Sequence, residues 1–169
     1  MQDTSSVSNL RLVAIPRLAA GGRWRVEAMR SLSEPCLLWF TKGQGRITIA
    51  GLTRGYTAHN AVFIPPDVMH GFEAGPAVFG TAVFFGRDCN VTLPKQPVHL
   101  RIREVHAQQE LNMLLDSVQR EMDADTPAHE RATRHYLGLI GVWLERQARK
   151  AEAEMPKPDA TRRLVARYT

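Results

Sequence analysis

One stretch, residues 37–72, LLWFTKGQGRITIAGLTRGYTAHNAVFIPPDVMHGF, constrains the fold more than any other. Three short runs rich in apolar and β-branched residues (37–41, 46–50 and 61–64) are separated by Gly43-Gln44-Gly45, by Gly51 and Gly55, and by Pro65-Pro66-Asp67. Runs of this length between Gly and Pro clusters read as strands. Together they describe half of a small β-barrel. The two glycines of Lys42-Gly43-Gln44-Gly45 supply the positive φ a tight hairpin needs, so the first two runs are expected to pair antiparallel. Pro65 and Pro66 have no N–H for a ladder and stop the third strand before His70.

A Gly-x-Gly hairpin followed by a strand ending in Ile64-Pro65-Pro66, with His70 and Phe72 behind it, resembles the core of the cupin superfamily, specifically the sensor domain of AraC-type transcriptional regulators. The resemblance covers residues 22–86 and continues more weakly into the following helices and the last residues. It implies a mainly β fold with α: a cupin-like β-barrel (double-stranded β-helix) followed by a two-helix antiparallel dimerisation hairpin. The domains implied are an N-terminal arm and effector-binding barrel over 1–100, a helical hairpin over 101–153, and a linker leading into a DNA-binding domain over 154–169.

The first cupin motif departs from the family pattern. Metal-dependent cupins carry a His-x-His pair and a Glu before the hairpin. Counted back from Gly43, the Glu position falls on Cys36 and the two His positions fall within residues 29–32, which are Met29, Arg30, Ser31 and Leu32. None of these four binds iron, zinc or manganese tightly. His70 would stand alone, so neither metal nor cofactor is expected.

Composition closes off other classes. An apolar fraction of 44% and a charged fraction of 23% suit a globular domain. MQDTSSVSN has no secretory-signal character, and no apolar run approaches the roughly 20 residues that span a membrane, so a cytoplasmic protein is expected. Cys36 and Cys89 are too few for a disulfide framework, and Cys36 reads as a buried free thiol. The net charge of +5 is unevenly spread: 10 basic and 6 acidic residues over 1–100, 3 and 7 over 101–130, and 9 and 4 over 131–169. Without interleaved aromatics, this field supports only weak, nonspecific phosphate contact.

Along the chain, LRLVAIPRL (10–18) suits an edge strand or an arm rather than a helix, and the family resemblance adds an arm that folds over the barrel mouth. Alternation in RWRVEAMR (23–30) sets Trp24, Val26 and Ala28 on one face, and the same parity sends Arg30 inward. Two readings of Arg30 stand: a carboxylate clamp for a ligand, or a mouth residue paired with Glu34. Residues 77–85 read as a buried strand in which Gly80 and Ala82 leave room for a cavity. His59 is expected to face solvent and Trp39 to lie in the core or the pocket. Residues 87–100 either end the barrel or add an edge strand.

The apolar period then changes to that of helices. One is expected over 105–122. A second opens with Thr126 as N-cap and Pro127 as first helical residue, runs to 152, and carries a Glu130–Arg134 surface pair. Its apolar arc is too wide for one partner, and Gly138 and Gly141 invite a second backbone close by. Residues 149–160 read as a linker, and TRRLVARYT (161–169) as the first turns of another helix.

The function expected is that of a ligand-sensing and dimerisation domain rather than an enzyme. Arg30, Trp39, His70, Phe72, Ala82 and Phe84 would hold a small-molecule effector, an organic or aromatic acid. Tyr136, Leu139, Ile140 and Trp143 would form a homodimer interface, with DNA reached through a further C-terminal domain. The alternatives are a cupin enzyme, an isomerase or dioxygenase working through a metal or through His70, and a filled structural module. No nucleophile elbow, Walker loop or Cys-x-x-Cys pair is present.

Overall fold

Strands that carry an unbroken apolar run need cover on both faces. In the computed structural model, which describes residues 9–20 and 29–154, that is the condition of β2 (Cys36–Lys42) and β5 (Asn60–Ile64). With β1 (Arg11–Ala14), β7 (Phe79–Phe84) and β8 (Val98–Arg101) they form a five-stranded sheet ordered β1-β7-β2-β5-β8, every pairing antiparallel. A second, antiparallel sheet of three strands, β4-β3-β6, is built from β3 (Gly45–Ile49), β4 (Leu52–Tyr56) and β6 (His70–Phe72). The closed barrel is thus represented, among the described residues, by two separate sheets.

The expected hairpin between the first two runs does not form. β2 pairs with β5 and β7, and β3 with β4 and β6. Gly43 and Gly45 serve a corner at which the chain leaves one sheet for the other. Gly43 has φ +95°, and a Cβ there would lie 2.7 Å from the Ala77 carbonyl oxygen and 2.8 Å from Val78 Cα. Glycine is required by that close backbone approach. The hairpin lies one step later, at Ala50-Gly51, where φ values of 50° and 85° give the two positive angles of a type I′ turn. Gly55, expected to end a strand, sits inside β4 opposite Arg46.

At the N-terminus the expected edge strand is present as β1, but Pro16 opens a helix instead of preventing one. It stands in the first turn of α1 (Ile15–Ala20), where its missing N–H has no intrahelical role. Residues 21–28, with the expected face of Trp24, Val26 and Ala28, lie outside the described residues. So do residues 1–8 of the expected arm and 155–169, which hold the second half of the expected linker and all of the expected last helix. The first half of that linker, 149–154, is instead the end of the helix His129–Glu154. β8 realises the added edge strand of the 87–100 region.

Behind the large sheet lie α2 (Val105–Asp123) and α3 (His129–Glu154), packed on each other. Ala107, Leu111, Leu115 and Val118 give α2 a buried stripe at helical spacing. α3 starts later than expected. Thr126 is not its N-cap; its carbonyl accepts from the His129 backbone N–H, and Ala128 takes φ 61° before the helix begins. Glu130–Arg134 is not among the ion pairs of the described residues, whereas Asp116–Arg120 (3.4 Å) and Glu145–Arg149 (3.0 Å) are.

Alternation along β2 and β5 divides the interior in two. Leu37, Trp39, Ala61 and Phe63 join Leu111, Leu137, Ile140 and Trp143 in a core shared with the helices. Cys36, Leu38, Phe40, Val62 and Ile64 join Ile47, Tyr56 and Phe72 between the sheets. No described helix is long and apolar enough to cross a membrane.

Candidate ligand-binding site

The abrupt end of β5 at Pro65-Pro66 places the site. After the prolines, Asp67 takes φ 66° and its N–H donates to the Leu32 carbonyl (2.7 Å), pinning the 29–32 segment beside the turn. Two residues before Leu32, Arg30 pairs with His70, the first residue of β6. Each donates its backbone N–H to the other's carbonyl, at 2.8 Å from Arg30 and 2.7 Å from His70. The Pro-Pro-x-x-x-His spacing therefore acts through the backbone, by setting where the chain re-enters a sheet.

Next to this pair is a cavity of about 240 Å³. Leu38, Phe72, Phe84, Val13 and Leu18 supply apolar wall, and Arg11, Arg30 and His70 the charged and polar side chains. Of the expected ligand contacts, the structure thus gathers Arg30, His70, Phe72 and Phe84. The other two lie elsewhere. Trp39 points to the helical side of β2, where its Nε1–H donates to Asn112 Oδ1 (2.8 Å) and its ring meets Trp143 edge-on at 6.1 Å. Ala82 is fully buried and outside the cavity lining. The room expected at Gly80 is taken up by the Trp39 carbonyl and the side chain of Ile15, so open space is found further along β7, at Phe84.

Arg30 and Glu34 do not pair. Glu34 instead binds Arg11 (2.6 Å) and accepts from the Gly86 N–H (2.9 Å). Arg11 also stacks its guanidinium over the Phe84 ring at 4.8 Å and donates to the Asn9 carbonyl (3.0 Å), so its charge is largely committed. Sequence reasoning missed Arg11. The available signal was the alternation in Arg11-Leu12-Val13, which puts Arg11 and Val13 on one face of an edge strand.

His70 is only 6% exposed, and its Nδ1 lies 3.0 Å from the Val68 carbonyl. Burial pushes its pKa below the ordinary histidine value; the Val68 contact opposes this and the Arg30 charge adds to it. The ring is neutral at pH 7. On the cavity wall, Cys36 is pushed up to about 12 by burial and by Glu34, against a smaller lowering by Arg11, and remains a thiol. Both cysteines are free. His59 is half-buried, with its ring 6.0 Å from Trp39, and not turned fully to solvent as expected. Among the described residues no group of three His, Cys, Asp or Glu side chains could hold a metal ion.

The four expected interface residues divide. Ile140 and Trp143 are buried within the chain, and the Trp143 indole N–H donates to the Ala107 carbonyl (3.0 Å). Tyr136 is half-buried, and Leu139, 50% exposed, stands on the outer face with Val142.

No protein-family model matches the sequence, and no relative was found among curated proteins. Solved structures similar to the chain include a cupin protein of Bacteroides fragilis (15% identity, TM-score 0.35), with 51% of this chain covering 70% of that one. Unsaturated fatty acid-bound ToxT of Vibrio cholerae is similar over 90% of this chain and 59% of its own, at 8% identity and TM-score 0.46. Acireductone dioxygenase of Bacillus anthracis, with a cadmium ion in its active centre, is similar over 57% of each chain, at 10% identity and TM-score 0.36. The chain spans less than two thirds of the length of the last two.

Proposed function

We propose that this chain is the ligand-sensing and dimerisation domain of a transcriptional regulator, binding a small organic acid between its two sheets. The carrying observation is the cavity, which Leu38, Phe72 and Phe84 line together with the buried His70 and the exposed Arg30. Apolar enclosure with a few convergent polar groups is the usual form of a small-molecule site, and a guanidinium suits a carboxylate through two parallel N–H donors. In this reading the two sheets are the halves of a cupin-like barrel. α2 and α3 form the dimerisation hairpin, with Leu139 and Val142 on its outer face and Tyr136 at its edge. DNA is contacted through a separate domain, and ligand shifts the population of two arrangements by its difference in affinity for them.

The same site supports a binding role over a metalloenzyme. Its lining offers a metal one imidazole and no carboxylate. The test is thermal unfolding of the purified chain with organic acids, phenols, sugars and divalent metals. A saturating acid is expected to raise stability by about 2.7 kcal/mol at a hundredfold excess over Kd. Arg30→Ala is expected to weaken that acid about tenfold or more, since hydrogen bonds to charged groups contribute about 1.5–3 kcal/mol. Equal binding by Arg30→Ala removes the carboxylate clamp, and a response to metals alone puts the enzyme first.

A further inference from the structure

Arg30 and His70 are neighbours fixed by backbone. A reciprocally hydrogen-bonded antiparallel pair holds its Cα atoms about 5.5 Å apart and directs both side chains to one face. Here both reach the same cavity. Their chemistry is opposite. The guanidinium is a permanent cation with donors and no acceptor. The imidazole is an acceptor: the Val68 carbonyl can only accept, so His70 Nδ1 carries the proton and Nε2 is left with its lone pair. Nε2 makes no hydrogen bond with the described residues. A plain carboxylic acid bound by Arg30 would cover that lone pair with apolar atoms only, and an acceptor taken from water without a new donor costs affinity.

We infer that the cavity selects hydroxy acids: the carboxylate binds Arg30, a hydroxyl a few bonds away donates to Nε2 of His70, and a small apolar body lies against Leu38, Phe72 and Phe84. The inference rests on the acid-binding reading above and narrows it. At about 240 Å³ the cavity is smaller than the roughly 300–1,000 Å³ typical of drug-sized ligands, which limits the body to one ring or a short chain.

Titration calorimetry of the purified chain at neutral pH tests it with two matched sets. One is benzoate, meta-hydroxybenzoate and meta-methoxybenzoate; the other is hexanoate, β-hydroxyhexanoate and β-methoxyhexanoate. In at least one set the hydroxy acid is expected to bind about three- to tenfold tighter than both its parent and its methyl ether, which keeps the oxygen but lacks the donor. His70→Leu is expected to erase that preference while the parent acid still binds. If this variant does not fold, the comparison of hydroxyl with ether in the natural chain decides alone. Equal affinity for parent and hydroxy acid in both sets, or an ether that matches the hydroxy acid, overturns the inference and leaves the acid site standing. Failure of every acid to bind overturns the acid site and the inference with it.

Discussion

At the scale of single residues, two histidines tie stability to pH. His70 is held neutral by burial, reinforced by Arg30, and His99 by burial, reinforced by Arg54 and Arg101. Asn60 Oδ1 already accepts from the Thr57 N–H (3.1 Å), so His99 Nε2 must be the donor in its 2.8 Å contact with that oxygen. Its Nδ1 is left buried without a partner among the described residues. Both folded-state pKa values lie below the ordinary 6.5, so as pH falls the unfolded chain takes up these protons first. The histidine contribution is complete above that value and is lost as pH drops through it toward the lowered folded values. Urea unfolding between about pH 8 and pH 5 should show stability falling, and His70→Gln should show a shallower fall than the natural chain. Identical slopes would mean that His70 titrates alike folded and unfolded. His70 was legible in the sequence because a proline pair announces a strand end and the spacing to the histidine is local. Arg11 was not, because its place on the cavity depends on pairing with β7, some seventy residues away in the sequence.

At the scale of elements, glycines marked where the chain bends but not which strands would meet. Gly43 and Gly45 signal a turn but not which kind: Gly43 has the positive φ that a hairpin would also use, whereas Gly45 makes room for Tyr56 and the Glu73 carbonyl at a sheet-to-sheet corner. The wide apolar arc of α3 was likewise legible, but its division into buried and outer residues was not. Ile140 and Trp143 are covered by α2 and the large sheet, and the loop through Thr92 closes over Gly141. The two helical glycines make a discriminating pair. A Cβ on Gly138 meets nothing within 4 Å, whereas one on Gly141 runs into the Thr92 carbonyl. Gly138→Ala should therefore raise stability by about 1 kcal/mol, the helix preference of alanine over glycine. Gly141→Ala should lower it despite the same preference, because the obstructing atom is backbone. Chemical denaturation of the two variants checks both signs, and a stabilising Gly141→Ala would show that the 91–93 loop gives way.

At the scale of the whole molecule, the large sheet is a wall with a core on either side, and the outer face of α3 is left to solvent. Self-association through that face predicts that Leu139→Asp shifts the sedimentation of the chain to that of a monomer that keeps the circular dichroism of the folded chain. Ile140→Asp, one residue along, should instead unfold it, since an unpaired charge buried in a core costs several kcal/mol. A natural chain that sediments as a monomer at high concentration would remove the interface. The two cores meet along β2, where adjacent residues do different jobs: Leu38 lines the cavity, and Trp39 is tied by its indole nitrogen to Asn112 of α2. One peptide unit separates the two compartments. Neighbouring side chains on a strand project in opposite directions, so Leu38 and Trp39 serve opposite sides of the same backbone. The strand thus carries cavity wall on one face and a tie to the helical layer on the other.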